Sequence, residues 1–236
     1  MQSSLRTPRT VGILFLVSYA SFIAGSALLT NALDASTDLG TIHASSTQVI
    51  AGVLLQFVND VAVIGIAVLL YPFLKRYGES LALWYVGLKI IEAGAYVVAR
   101  VMTLSLITVS EKYVAAGAAD AASFEGVRSV LLGGIYWAGQ MGTVAFILGG
   151  IALYGLLYRS NLIPRFISMW GVIAVVLLIP ANVIAPDPSG DFQPAMLLFL
   201  PIVLNELFLA MWLIAKGFTS SAINPVAYEA QPAAAA

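Results

Sequence analysis

The sequence predicts an all-α membrane protein, a six-helix transmembrane bundle with both N and C termini in the cytoplasm. Three observations lead there. The 236-residue chain is 60% hydrophobic and only 10% charged, whereas soluble domains carry about a quarter charged residues. Its apolar residues gather in six continuous runs, each near or above the roughly 20 helical residues that cross a bilayer core of about 30 Å. Its Lys and Arg residues are shared unevenly between the segments joining those runs. Continuous apolar runs favour helices over a barrel, whose strands would alternate between inward and outward residues.

The same arithmetic excludes several function classes. With a formal net charge of −1 there is no basic field to hold a phosphate backbone, so nucleic acid is not an expected partner. The absence of Cys removes disulfides, thiol catalysis and thiolate metal sites. A single histidine, His43, excludes bis-imidazole haem and a multi-His zinc centre within one chain. No phosphate loop, nucleotide fingerprint or Ser/His pair at catalytic spacing is present, so neither an enzyme nor a cofactor is expected.

In chain order, a cytoplasmic N-terminus (1–10) leads into a transmembrane domain (11–218). Its spans are Val11–Thr30, Thr47–Leu74, Ser80–Val109, Ser129–Tyr158, Ile163–Ala185 and Pro194–Phe218. Arg6 and Arg9 ahead of the first run resemble a secretory signal. The run exceeds a usual signal core, however, and no small-residue cleavage site ends it, so an uncleaved first span is expected. Asn31–Ser46 reads as a polar loop, with His43 solvated, and Lys75–Glu79 as a tight charged reversal. Ser110–Arg128 reads as a charged loop, Arg159–Leu162 as a four-residue link and residues 186–191 as a Pro/Gly turn. The Pro/Ala-rich end, 219–236, is expected to be a disordered C-terminal tail. Seven basic residues (Arg6, Arg9, Lys75, Arg76, Arg159, Arg165, Lys216) fall on one side against two (Lys112, Arg128) on the other, which sets the orientation. Pro180 and Pro201 are expected to kink spans five and six.

Small residues recur at four-residue spacing in span four, at Gly134, Ala138 and Gly142, then Ala145 and Gly149. Such spacing lets helix backbones approach closely. Packing inside the bundle is the first reading, and a homo-oligomer through this face is the alternative.

Ionisable residues within the spans carry the functional argument. Asp60 lies mid-way along span two with Gln56 and Asn59 within a turn, Glu92 mid-way along span three, and Glu206 beside Asn205 mid-way along span six. A charge at the bilayer centre costs at least about 2.5–3.5 kcal/mol, so these groups are expected to face inward at a common depth. At 100° per residue, Lys89, Glu92, Tyr96, Arg100 and Thr103 occupy a sector of roughly 80°, a polar stripe on an apolar helix. Three acids and two bases leave one acid over after two ion pairs. Glu206, whose own helix supplies no cation nearby, is the expected remainder, with Glu92 pairing to Lys89 or Arg100. Gln140 of span four is a further candidate lining group. Spans two, three and six are thus expected to form a polar cavity that binds or translocates a small solute or a proton. The rival expectation is a non-transporting membrane subunit (scaffold, sensor or assembly partner), whose buried ion pairs only fix helix register.

Several runs resemble the DUF4386 family: Tyr71-Pro72-Phe73-Leu74-Lys75, Lys89-Ile90-Ile91-Glu92, and Leu157-Tyr158-Arg159-Ser160-Asn161-Leu162-Ile163-Pro164-Arg165. The last span adds Asn205-Glu206-Leu207 and Met211-Trp212-Leu213-Ile214-Ala215-Lys216-Gly217. The resemblance runs from about Arg9 to Phe218. It implies a multispanning protein of a prokaryotic plasma or inner membrane, in contact with membrane lipids, and supplies no activity. The family pattern often has Arg where Lys89 stands and Gly where Asn161 stands.

Overall fold

A computed structural model of the chain describes residues 6–34, 37–117, 120–184 and 194–219. Among them every regular element is helical. They are α1 (Arg6–Leu33), α2 (Leu39–Ala44), α3 (Ser46–Leu74), α4 (Glu79–Ala115), α5 (Ala121–Ser160), α6 (Arg165–Ile184) and α7 (Leu200–Ala215). Short 3-10 turns at Lys75–Tyr77 and Pro194–Phe199 precede α4 and α7. Five helical stretches, in α1, α3, α4, α5 and the last apolar segment, are long and apolar enough to cross a membrane, and α6 is a shorter apolar helix.

The helices run past several of the expected span ends. The segment 110–128, read from its charge as a loop, is mostly helix, because α4 continues to Ala115 and α5 begins at Ala121. At 37 and 40 residues, these two helices extend about 55 and 60 Å, far beyond a hydrocarbon core. Their shared end forms a helical hairpin against which α2 packs. The expected polar loop 31–46 contains α2, which Asp38 caps by accepting hydrogen bonds from Thr41 N (2.9 Å) and Thr41 Oγ1 (2.7 Å). Ile42 and Leu39 of α2 pack with Leu106 of α4, whereas His43 stays exposed. Pro180 lies inside α6 as expected. Pro201 instead opens α7, where a missing N–H removes no helical bond, so it starts that helix and does not kink it. The turn at 186–191 and the tail from 220 lie outside the described residues. Thr219, counted with that tail, donates its backbone N–H to Leu162 O at 2.9 Å.

Helices α1, α3, α4, α5, α6 and α7 touch in a closed circuit, each against its neighbour in the chain and α7 back against α1. The largest contact is α4 on α5, then α1 on α3. Gly25 and Gly52 make the second contact close, since a Cβ on Gly25 would lie 2.8 Å from Gly52 O. In the α4–α5 contact, Gly134 faces Met102 and Gly142 faces the Tyr96 ring, so two of the three residues offered to a second chain are packed within this one. The α5–α6 link turns at Asn161, whose φ of 50° is left-handed, a conformation that suits Asn or Gly.

The main core gathers Val11, Leu74, Tyr85, Tyr154, Leu157, Ile167, Leu213 and Phe218 toward the end where α1 starts and α7 stops. There Arg9 donates to Ile214 O at 3.2 Å. The outer surface is apolar: Val130 is 75% exposed, Trp84 64% and Ile91 59%, while Asp60 is 1% exposed and Glu92 4%. Apolar outside and charged inside is the reverse of a soluble fold, whose exposed apolar patches stay at a few hundred Å². The chain has the architecture of a membrane protein.

Candidate functional site

The ring of helices lines a partly open cavity of ≈ 190 Å³. Its walls come from α1 (Phe15, Ser18, Tyr19, Phe22), α3 (Asn59, Val63, Ile66) and the inner stripe of α4 (Tyr85, Lys89, Glu92, Tyr96, Arg100). Thr143, Phe146, Gly150 and Leu153 of α5, Phe199, and Ile202, Val203 and Glu206 of α7 complete it. The expected contributors were the second, third and sixth apolar spans. The first and fourth also contribute, and among the described residues α2 and α6 supply no wall residue.

Two ion pairs and one remaining acid are found at or beside this cavity. Lys89 Nζ lies 2.8 Å from Glu92 Oε2, one helical turn away on α4, with Nζ 4.5 Å from the centre of the Phe146 ring. Arg100 lies 3.4 Å from Asp60 Oδ1 and joins α4 to α3. Of the two partners left open for Glu92, it is therefore Lys89 that the geometry selects. Glu206 Oε2 accepts a 2.7 Å hydrogen bond from the Tyr19 hydroxyl, and among the described residues no Lys or Arg nitrogen lies within salt-bridge distance of it. The pairs sit on Glu92 and Arg100, eight residues apart on α4, which is about 12 Å of helix rise. The charges therefore form a column along the cavity, with Glu206 and Glu92 toward one end and Asp60 toward the other. The acids thus do not share the single depth expected of them, because Asp60 pairs with Arg100, about two turns along α4 from Glu92. A chain of hydrogen bonds connects part of this column: Ser18 donates to Asn59 Oδ1, and Asn59 donates to Asp60 Oδ1 at 3.3 Å. Tyr96 and Thr143 hydroxyls meet at 3.4 Å across α4 and α5.

Six of the ten candidate residues line the cavity: Asn59, Lys89, Glu92, Tyr96, Arg100 and Glu206. Asp60 stands behind the wall, held through Arg100 and Asn59. The other three point elsewhere. Gln56 donates to Ser26 Oγ at 3.0 Å in the α1–α3 seam. Gln140 donates to Tyr136, one turn back on its own helix. Asn205 donates to Ile167 O of α6 at 2.9 Å, so it fastens α7 to α6 while the adjacent Glu206 faces in. The residues missed from sequence are Tyr19 and Ser18 of α1 with Phe146 and Thr143 of α5. Nothing in the spacing of a single tyrosine or serine within an apolar run distinguishes it from core. At the end of the bundle away from the start of α1, Arg128 is buried, donating to Asp34 O at 3.0 Å and pairing with Glu125 at 3.2 Å. A residue counted as a loop charge thus ties α5 to the end of α1. Among the described residues, no group of three or more His, Asp or Glu is placed to hold a metal.

A family described as Domain of unknown function (DUF4386) matches residues 10–217. The chain belongs to the DUF4386 family. No curated protein and no solved structure matches it. The matched stretch of this DUF4386 chain takes in all five walls of the cavity, from Phe15 on α1 to Glu206 on α7.

Proposed function

We propose that this DUF4386 protein is a six-pass protein of the prokaryotic plasma or inner membrane that binds a small solute or a proton in the central cavity and moves it across the bilayer. The observation that carries the reading is Glu206, a carboxyl mid-way along an apolar helix that faces a cavity with a tyrosine hydroxyl on it and, among the described residues, no Lys or Arg nitrogen within ion-pair distance. Acids kept inside a membrane at several kcal/mol of cost mark ligand pathways and proton relays. In this reading Glu206 is the binding or protonatable group, Asp60 is a second such group that Arg100 holds in place, and the Lys89–Glu92 pair keeps the cavity ordered. Six passes follow if α6, apolar along its length, crosses with the other five. The excess of basic residues beside the start of α1, the α3–α4 turn, the α5–α6 link and the end of α7 supports cytoplasmic termini.

A second reading, a non-transporting subunit with a structural polar core, draws support from the Arg100–Asp60 pair, which fastens two helices as a register device would. The two readings separate in proteoliposomes. Collapse of an imposed pH gradient and uptake of solutes are followed for wild type, Glu206→Gln and Asp60→Asn. The transport reading expects flux in wild type and at least a tenfold loss in Glu206→Gln. Identical traces from folded wild type and Glu206→Gln would refute it.

A further inference from the structure

The charge inventory and dimensions of the cavity point to one chemical class of ligand, an inference that rests on its being a solute site. Both cations at the cavity are already engaged. Lys89 is held by Glu92 at 2.8 Å and by the Phe146 ring face at 4.5 Å, and Arg100 is held by Asp60, with its guanidinium 5.5 Å from the centre of the Tyr96 ring. An anionic ligand would have to break one of these buried pairs and would add a negative charge to a set of side chains whose formal charges already sum to −1. A monovalent cation meets Glu206, brings the five buried charges and itself to neutrality, and breaks no ion pair. The remainder of the wall near Glu206 is apolar and aromatic, with Phe15 and Phe22 flanking Tyr19 on α1 and Phe199 leading into α7. Ring faces attract cations when water is excluded, and they shelter an apolar body. The volume of ≈ 190 Å³ compares with roughly 150 Å³ for an engineered apolar cavity that takes up benzene.

We propose that the cavity binds a small monovalent organic amine in its ammonium form, its cationic end on Glu206 and an apolar body of about one aromatic ring against the α1 phenylalanines. Lys89 sits on the same wall, so a divalent or bulky polyamine is disfavoured by repulsion and by volume.

Three probes of one shape separate the alternatives: benzylammonium, benzyl alcohol and benzoate, titrated by calorimetry into the full-length protein in lipid nanodiscs. Benzylammonium is expected to bind at least tenfold more tightly than either of the others. Glu206→Gln, which keeps the shape and the acceptor for Tyr19, is expected to lose that preference, and Gln140→Leu, which changes a polar group outside the cavity wall, to retain it. Preferential binding of benzoate, equal binding of the alcohol, or unchanged benzylammonium affinity in folded Glu206→Gln each overturns the assignment while leaving the cavity as a solute site. No binding of any probe also overturns it, and flux lost in Glu206→Gln would then show that the site reading stands without this ligand class.

Discussion

Removing Asp60 leaves the Arg100 guanidinium among helices without its counter-charge, and the size of that penalty can be worked from the geometry. The Asp60 side chain is 1% exposed and that of Arg100 13%. Their separation of 3.4 Å exceeds the roughly 2.7–2.9 Å of a tight charge-assisted bond, while Asp60 Oδ2 and Arg100 Nε make no hydrogen bond. The pair's own attraction therefore falls near the modest end for cross-helix polar contacts in membranes, which average about 0.6 kcal/mol and reach about 1.7. The larger quantity is the charge left behind, which in buried pairs costs about 3–5 kcal/mol when one partner goes. Asp60→Ala is expected to destabilise by about 3 kcal/mol. Asp60→Ala combined with Arg100→Leu, which removes both charges, is expected to lie within about 1 kcal/mol of wild type. Reversible unfolding in mixed micelles, followed by helical circular dichroism, measures these two variants and Arg100→Leu alone. If the double variant costs the sum of the single ones, the two residues are not coupled and the reasoning fails.

Two further outcomes follow from local geometry. A Cβ on Gly171 would overlap the Tyr154 ring, which is itself fully buried. Gly171→Ala is thus expected to cost about 1–3 kcal/mol by overpacking, and a melting temperature equal to wild type would contradict the α5–α6 contact. At α2, hydrogen bonds from Thr41 hold the Asp38 carboxyl below its ordinary value. Its contribution to the cap is therefore complete above the unfolded value of about 3.9 and is lost as the pH falls through the lower folded value. Hydrogen-exchange protection of the Thr41 amide is expected to drop in Asp38→Ala at neutral pH and in wild type on acidification. Protection indifferent to both would remove Asp38 from the cap.

The parts of this fold legible in the sequence are those governed by one helix at a time. Apolar runs of membrane length identify α1, α3, α4 and α5, and the 100° spacing of Lys89, Glu92, Tyr96 and Arg100 specifies a single inward face of α4. What depends on a neighbour's rotation was not legible. Asn205 and Glu206 are adjacent polar residues, yet one faces the α6 backbone and the other the cavity, a difference of 100° that only packing decides. Gln56 looked equivalent to Asn59 and instead met Ser26 across the Gly25–Gly52 seam. Tyr19 carried no signal, because its role arises from α7 returning against α1. The 3-10 turn at Pro194–Phe199 was hidden since its apolar residues merge with those of α7.

The shared tip of α4 and α5 turns a feature of helix length into a handle on movement. Each arm is an unbroken continuation of a rod that carries cavity groups, Lys89 to Arg100 on one and Thr143 with Phe146 on the other. Any sliding of one rod past the other is transmitted to the tip. Because the chain contains no native thiol, cysteines introduced at the exposed positions Val114 and Val127 would be the sole attachment points for a pair of spin labels. The distance between the labels then gives an outside readout of motion at the charged interior, taken without touching a residue that lines it.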